Sequence, residues 1–301
     1  MRLLVTGATG LVGRSFVRTM LERGHEIVVT SRDPERAATF LPLITRHVGW
    51  DPNDGPAPRE AFEGVDAIVH LAGESVAGRW TDEKKQRIRD SRVLGTRNLV
   101  DGMRPLDERP FRLVSASAVG FYGDRGDEAL NEDSGPGDDF LATTCVEWES
   151  EGANATELDL DVVHLRIGIV LDPDGGALEQ MLPPFRFGVG GPLGSGKQWW
   201  SWIHRDDLIA MLVAAVEDGW SGAYNATSPQ ALRQRDFAKV MGDVMSRPAF
   251  VPAPEFALRF VFGEFASELL TSKKVEPVRA LDEGFAFRFP RLHDALVDLI
   301  D

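Results

Sequence analysis

The stretch "VTGATGLVGR", residues 5–14, restricts the fold more than any other part of the chain. Gly7, Gly10 and Gly13 recur every third residue, directly after a short apolar run from Leu3 to Val5. Glycine reaches positive φ, and its missing Cβ lets a neighbour approach the backbone closely. A strand, a glycine-rich turn and a helix over Leu11–Arg23 would together make a phosphate cradle. The start of such a helix offers unpaired N–H groups and partial positive charge. The spacing G-x-x-x-x-G-K-[ST] of mononucleotide loops is absent, so a dinucleotide is the better reading.

Strands and helices alternate from there. "RLLVTG" is followed by helical "LVGRSFVRTMLERG", and "HEIVVTSR" by the short helix "DPERAATFL". "RHVGW" and "VDAIVHLAG" read as the third and fourth strands, with the long helix "TDEKKQRIRDSRVLGTRNLVDGM" after them. "FRLVSASAVG" is a fifth strand, "DFLATTCVEWESEGANA" a helix and "LDVVHLRIGIVL" a sixth strand. This order means βαβ units and a parallel sheet. Near-continuous apolar strands suit a sheet covered on both faces. The fold class is therefore α/β: a Rossmann-type doubly wound parallel sheet with a smaller C-terminal substrate lobe. After about residue 172 the chain turns rich in Gly, Pro and aromatics, then returns to "RDDLIAMLVAAVED", a helix, and "GAYNAT", a strand. "LRQRDFAKVMGDVM" is a further helix. Residues 1–172 and 206–227 are expected to form the nucleotide-binding domain, and residues 173–205 and 228–301 the lobe.

Composition narrows the partners. Net charge is −14, from 33 basic and 47 acidic residues, which disfavours nucleic acid and anionic membranes. The longest apolar run, Leu208 to Val216, is about half a membrane span. No signal-peptide pattern precedes the glycines, so a cytoplasmic location is expected. The single cysteine, Cys145, allows neither an internal disulfide nor a metal cluster, and no metal is expected. Only six of the basic residues are Lys, against 27 Arg. An acid-rich, Lys-poor chain fits a halophilic protein, whose self-repulsion is screened by salt. GC-rich codon usage explains the arginines equally well, but not the excess acid.

The end of the second strand separates NAD from NADP. An acid there holds the ribose 2′-hydroxyl, whereas an Arg accommodates a 2′-phosphate. Here the strand ends "VVTSRD", with Ser31 and Arg32 at that place. Arg32 can pair with phosphate and Ser31 can add a hydrogen bond, which points to NADP. Asp33 before Pro34 reads as a helix N-cap.

The pieces "VTGATGLVG", "VDAIVHLAGESVAGRW", "SRVLGTRNLV", "SASAVGFYG", "LRIGIVLD" and "GPLGSGKQWWSWIHRDDL" run the length of the chain. In these the sequence resembles the extended short-chain dehydrogenases/reductases, the NAD(P)-dependent sugar epimerase/dehydratase group. It is most similar to the atypical branch called "epimerase family protein" or "cell-division-inhibitor-like". The resemblance implies that Gly7, Gly10 and Gly13 hold the pyrophosphate of NADPH, with Thr6, Thr9, Leu11 and Val12 in the same loop. It implies that Ser31 and Arg32 meet the 2′-phosphate and that Asp51 lies near the adenine. Leu71, Ala72 and Gly73 would pass under the adenosine ribose. Ser115 and Ser117 would face the nicotinamide. A homodimer through the helices after the fourth and fifth strands is a further implication.

The pattern breaks at its chemistry. Reductases of this class use a Tyr as acid/base with a Lys four residues on, whose charge lowers the phenol pKa. Phe140 and Thr144 stand at those positions, and Phe has no proton to exchange. Ser117 and Tyr122 are the candidate replacements. His204, Cys145, Glu147 and Glu149 are further candidates, each with an ordinary structural or solvated role as its alternative. Arg79 and Trp80 would line one side of the substrate pocket, and Gln198, Trp199, Trp200, Trp202 and His204 the other. Two functions stay open: an NADP(H)-dependent oxidoreductase or epimerase on a small polar, possibly sugar-like substrate, and a non-catalytic NADP(H) sensor.

Overall fold

The computed structural model describes residues 1–300. Local sequence sets the helix starts. Strand β1 (Arg2–Thr6) leads into helix α1 (Leu11–Glu22), whose N-cap is Gly10. After β2 (Glu26–Ser31), helix α2 (Pro34–Phe40) begins with the Asp33 carboxylate accepting from Arg36 N at 2.9 Å, with Pro at its first position. Beyond β3 (Arg46–Gly49) and β4 (Ala67–His70), α3 (Asp82–Met103) starts at Thr81, which accepts from Lys84 N at 3.2 Å. Asp82 and Glu83 in its first turn also complement the helix dipole. After β5 (Arg112–Ala118) and the short β6 (Ala129–Leu130), α4 (Phe140–Ala153) is capped by Asp139 on Ala142 N at 2.8 Å.

The rest of the chain runs β7 (Asp161–Ile167), β8 (Ile169–Asp172), α5 (Gly176–Arg186), β9 (Trp199–Trp200), β10 (Trp202–His204) and α6 (Arg205–Glu217). Then come β11 (Gly222–Ala226), β12 (Leu232–Arg233), α7 (Gln234–Val244), α8 (Glu255–Phe262), α9 (Ala266–Leu270), β13 (Lys274–Val275), α10 (Val278–Asp282) and α11 (Leu292–Ile300).

Seven strands form one parallel sheet in the order β11-β7-β5-β4-β1-β2-β3. The chain winds outward from β1 in one direction and from β4 in the other. The strand order therefore reverses between β1 and β4, where such sheets open a crevice at their carboxyl ends. Alternate residues of the strands feed two cores. Leu3, Val5, Val69, Val114 and Leu165 pack with α1 and α6. Leu4, Ile68, Leu113 and Val162 pack under Leu99 and Met103 of α3. No described helix is long and apolar enough to cross a membrane.

The expected sixth strand is two strands. It breaks at Gly168, whose N–H bonds to Ala226 O at 3.0 Å, while Ile169 N turns to Ser201 O at 2.9 Å. A Cβ on Gly168 would stand 2.7 Å from Ser201 O, so the crossing chain excludes any side chain there. β7 stays in the main sheet, and β8 pairs with β10 instead.

The second lobe has its own core of Leu171, Leu182, Phe185, Trp200, Trp202, Phe237, Phe289 and Leu296. β11 returns from it to the sheet edge against β7. The tail is not confined to the lobe: Ala280, Phe285 and Phe287 pack on the core of the main sheet that contains Trp220 and Tyr224. Residues 228–300 thus divide their packing between the main sheet and the second lobe.

Candidate functional site

The glycine loop fills the crevice between β1 and β4. Gly7 sits at φ +68°, and a Cβ there would lie 2.6 Å from the Leu71 carbonyl carbon. A Cβ on Gly13 would lie 2.3 Å from Gly7 O, so α1 rests directly on the loop. Gly10 provides no side-chain cap, and the first amides of α1 are left to an outside acceptor. Thr9 and Gly10 are exposed at the tip, with Leu11 half-buried beside them and Val12 packed toward the core. Such a loop has the shape and the amide donors that a phosphate group requires, with the helix dipole behind it. Residues 71–73 close its other side, because Ala72 N donates to Thr6 Oγ1 at 3.3 Å.

A residue to which no motif assigns a role joins these two sides. His70, fully buried, bonds through Nδ1 to Thr6 Oγ1 at 2.7 Å and through Nε2 to Thr96 Oγ1 at 3.0 Å. Thr6 Oγ1 also accepts from Ala72 N, so this one hydroxyl links the ring to residues 71–73. Burial holds the imidazole neutral by lowering its pKa to about 4. The available signal was a polar residue closing the apolar run "AIVH".

At the ribose end, Ser31 makes a turn: its hydroxyl donates to Asp33 O at 3.0 Å and accepts from Asp33 N at 3.1 Å. Arg32 is exposed, and its guanidinium has no hydrogen bond or ion pair among the described residues. Nearby Glu74 is held by Lys84 at 2.7 Å, and its pKa is lowered chiefly by that bond, with Arg87 and Arg32 adding to the effect. Asp51 begins the turn after β3, where its carboxylate accepts from Asn53 N at 3.0 Å.

At the carboxyl ends of β5 and β7 the side chains are committed to one another. Ser115 is fully buried and its hydroxyl donates to Ala116 O at 3.2 Å, which turns it away from any ligand. Ser117 donates to Glu149 Oε1 at 2.6 Å. Arg166 clasps the same carboxylate with Nε at 2.9 Å and Nη2 at 2.8 Å. Its Cζ stacks 3.5 Å from the Phe121 ring centroid, and Nη1 donates to Tyr122 OH at 3.0 Å. Glu149, expected as a solvated acid, has a side chain only 13% exposed and carries the ion pair. Tyr122, a candidate acid/base, is fully buried and donates to Asn225 Oδ1 at 2.7 Å. Burial raises the Tyr122 pKa further, so it is no ready proton donor.

Helix α4 meets the turn after β5, where Leu141 and Cys145 pack on Gly120. Phe140, at the Tyr position, is half-buried against Trp80, with ring centroids 5.4 Å apart. Thr144 spends its hydroxyl on Phe140 O at 2.7 Å. Cys145 is buried, and desolvation pushes its thiol up to about 12.

The proposed substrate walls are only partly assembled. Trp80 contacts Phe265 of the second lobe at 5.7 Å, and Arg79 lies exposed beside Gly263. Gln198, Trp202 and His204 do not line the cleft. Gln198 is buried and bonds to Leu193 O and Leu269 O, each at 3.1 Å. Trp202 is fully buried in the lobe core, with its indole N–H on Gln230 O at 2.7 Å. His204 caps α6 by accepting from Asp206 N at 3.0 Å and stacks on Phe289 at 3.9 Å. Its Nε2 lies 3.3 Å from Asp298 Oδ2 without hydrogen-bond alignment, and burial lowers its pKa. These three residues hold the lobe together, because the aromatic block turns inward to build a core. Trp199 stays half-exposed, under the Arg233 guanidinium at 4.4 Å.

The model of the "NAD dependent epimerase/dehydratase family" matches residues 3–226. The chain belongs to this family. Residues 253–299 match a second model, described only as a domain of unknown function. Among epimerase-family relatives, "Epimerase family protein SDR39U1 homolog, chloroplastic" of Arabidopsis thaliana is 39% identical over 306 residues, covering 98% of this chain and 86% of the relative. "Epimerase family protein YfhF" of Bacillus subtilis is 36% identical over 302 residues, covering 100% and 98%. The crystal structure of human epimerase family protein SDR39U1 (isoform 2) with NADPH superimposes with a TM-score of 0.88 at 33% identity, covering 99% of each chain. A UDP-glucuronic acid 4-epimerase from Bacillus cereus, at 17% identity and a TM-score of 0.78, shares the fold of these epimerases.

Proposed function

We propose that this epimerase-family chain is an NADP(H)-dependent oxidoreductase that transfers hydride to or from a small molecule held between its two lobes. The observation that carries the reading is the cradle itself. The uncapped start of α1 and the crowded Gly7 and Gly13 leave room for phosphate and for nothing with a Cβ. The unpaired Arg32 beyond β2 favours the 2′-phosphate, in agreement with the NADPH of human SDR39U1. Bound there, NADPH would supply hydride at the carboxyl ends of β4 and β5. This chain's own residues would orient it: Thr6, His70 and Ala72 fix the loop, and Ser117 presents lone pairs while its proton rests on Glu149.

A second reading, a non-catalytic NADP(H) sensor, is favoured by Phe140 and Thr144 in place of the Tyr and Lys. One screen separates the two. NADPH binding is measured by calorimetry, and NADPH oxidation is followed with a panel of small carbonyl compounds. Binding with turnover of at least one compound supports the oxidoreductase. Tight binding with none turned over supports the sensor, and no binding overturns both.

A further inference from the structure

A carbonyl reduced to an alcohol ordinarily needs a proton as hydride arrives, because an alkoxide is a poor product in water. At this site each candidate donor is spoken for. Phe140 has none, and Thr144 gives its proton to Phe140 O. Ser117 gives its proton to a carboxylate already gripped by Arg166. Tyr122 is sealed beneath the site on Asn225, and Cys145 is a buried thiol. What the site offers instead is aromatic surface. Trp80 is buried and backs Phe140 and Phe265, at 5.4 and 5.7 Å between centroids, so the two half-buried phenyl rings are what this surface presents. One unpaired cation borders these rings: Arg79 has no ion-pair partner among the described residues, whereas Lys85 Nζ, 5.6 Å from the Phe140 centroid, is held by both Glu264 carboxylate oxygens at 3.0 Å.

We propose that the hydride acceptor is a planar conjugated carbonyl compound of the quinone class, packed against the Phe140 and Phe265 rings that Trp80 backs. This rests on the oxidoreductase reading above and names its substrate class. A quinone needs no donor at the moment of transfer, because the incoming electron pair is delocalised into a stable aryloxide. Quinone plus NADPH gives hydroquinone monoanion plus NADP⁺. One nicotinamide C–H bond breaks, and its hydrogen and electron pair are taken up by the quinone. The last proton of the hydroquinone comes from water. Aromatic rings favour a flat partner by offset or edge contacts, and the unpaired Arg79 suits the aryloxide.

The test uses duroquinone, which is fully methylated and so cannot alkylate Cys145. NADPH absorbance is followed with duroquinone, with glyceraldehyde and with UDP-glucose. Duroquinone is also titrated calorimetrically into the protein loaded with NADP⁺, where no reduction occurs. The expected result is reduction of duroquinone alone, slowed by deuterium at the transferred position of NADPH but not by D₂O. In the NADP⁺-loaded titration, Phe140→Leu should weaken duroquinone about tenfold, with NADP⁺ affinity and melting temperature unchanged. Turnover of glyceraldehyde or UDP-glucose with duroquinone inert overturns the quinone class and leaves the oxidoreductase reading standing. Duroquinone that fails to bind, binds without being reduced, or binds equally well to Phe140→Leu and native protein also overturns it. Failure to bind NADPH at all removes the underlying reading first.

Discussion

Arg32 is the residue on which cofactor choice turns. Its guanidinium is exposed and unpaired among the described residues, so a 2′-phosphate would gain a charge-assisted partner without breaking an existing ion pair. Arg32→Ala should weaken NADPH by about 1–3 kcal/mol, the range of hydrogen bonds to charged groups, and leave NADH nearly unchanged. Calorimetry on both cofactors checks this, and an equal loss for the two would count against the assignment. His70 makes a different prediction. Its pKa is depressed from 6.5 to about 4, so the unfolded chain takes up this proton first as pH falls. The stabilisation by neutral His70 is fully present above pH 6.5 and is lost as pH drops toward 4. Over that window the loss amounts to about 3 kcal/mol, from the size of the shift. His164 and His204 are depressed by burial too and act in the same direction. His70→Gln, able to bond both Thr6 and Thr96 but not to titrate, should flatten the acid limb of stability measured by urea unfolding. A limb as steep as that of the native protein would show that His70 does not govern it.

Among the elements, β7 and α4 are tied by one buried ion pair, Arg166 with Glu149, whose side chains are 7% and 13% exposed. Removing one partner of a buried pair strands the other charge, at a cost of about 3–5 kcal/mol. Glu149→Ala should therefore be strongly destabilised in urea unfolding. Combining it with Arg166→Met should recover part of the loss, since no bare charge then remains. A double variant no better than the single one would mean that the pair's geometry, rather than its charge, holds α4 in place. The strand–helix order and the glycine cradle were legible in the sequence because each rests on short-range signals: apolar runs, Asp33, Thr81 and Asp139 as caps, and glycines at fixed spacing. The break at Gly168 was not, because it depends on Ser201, more than thirty residues away, crossing the strand. Glu149 looked like any helix-surface acid until β7 brought Arg166 beneath it. Gln198 and Trp202 looked like a wall because polar-flanked aromatics suit a cleft, yet the second lobe needed them for its own core.

At the scale of the whole molecule the excess of 14 negative charges sets the behaviour. Many arginines are already taken: Arg87 pairs with Glu83 at 2.6 Å, Arg89 with Glu147 at 2.8 Å and Arg125 with Glu128 at 2.7 Å. Such exposed pairs contribute about 0–1 kcal/mol each, and salt weakens them. Self-repulsion among the unpaired acids acts across the entire surface, and salt weakens that as well. Raising the salt from about 0.1 M to 1 M shortens the screening length from about 10 Å to 3 Å, which cuts repulsion between acids well beyond contact distance. Pairs in direct contact near 3 Å lose less than acids spaced farther apart, so the balance tips toward stabilisation. NADPH brings further negative charge to an acidic protein, and its affinity should be poorest in dilute buffer. We therefore expect the melting temperature to rise with KCl into the molar range. Arginine-for-lysine codon bias alone predicts no such benefit. A melting temperature that stays flat or falls between about 0.1 M and 2 M KCl would reject salt adaptation, because screening over that interval already reaches down to neighbouring charges.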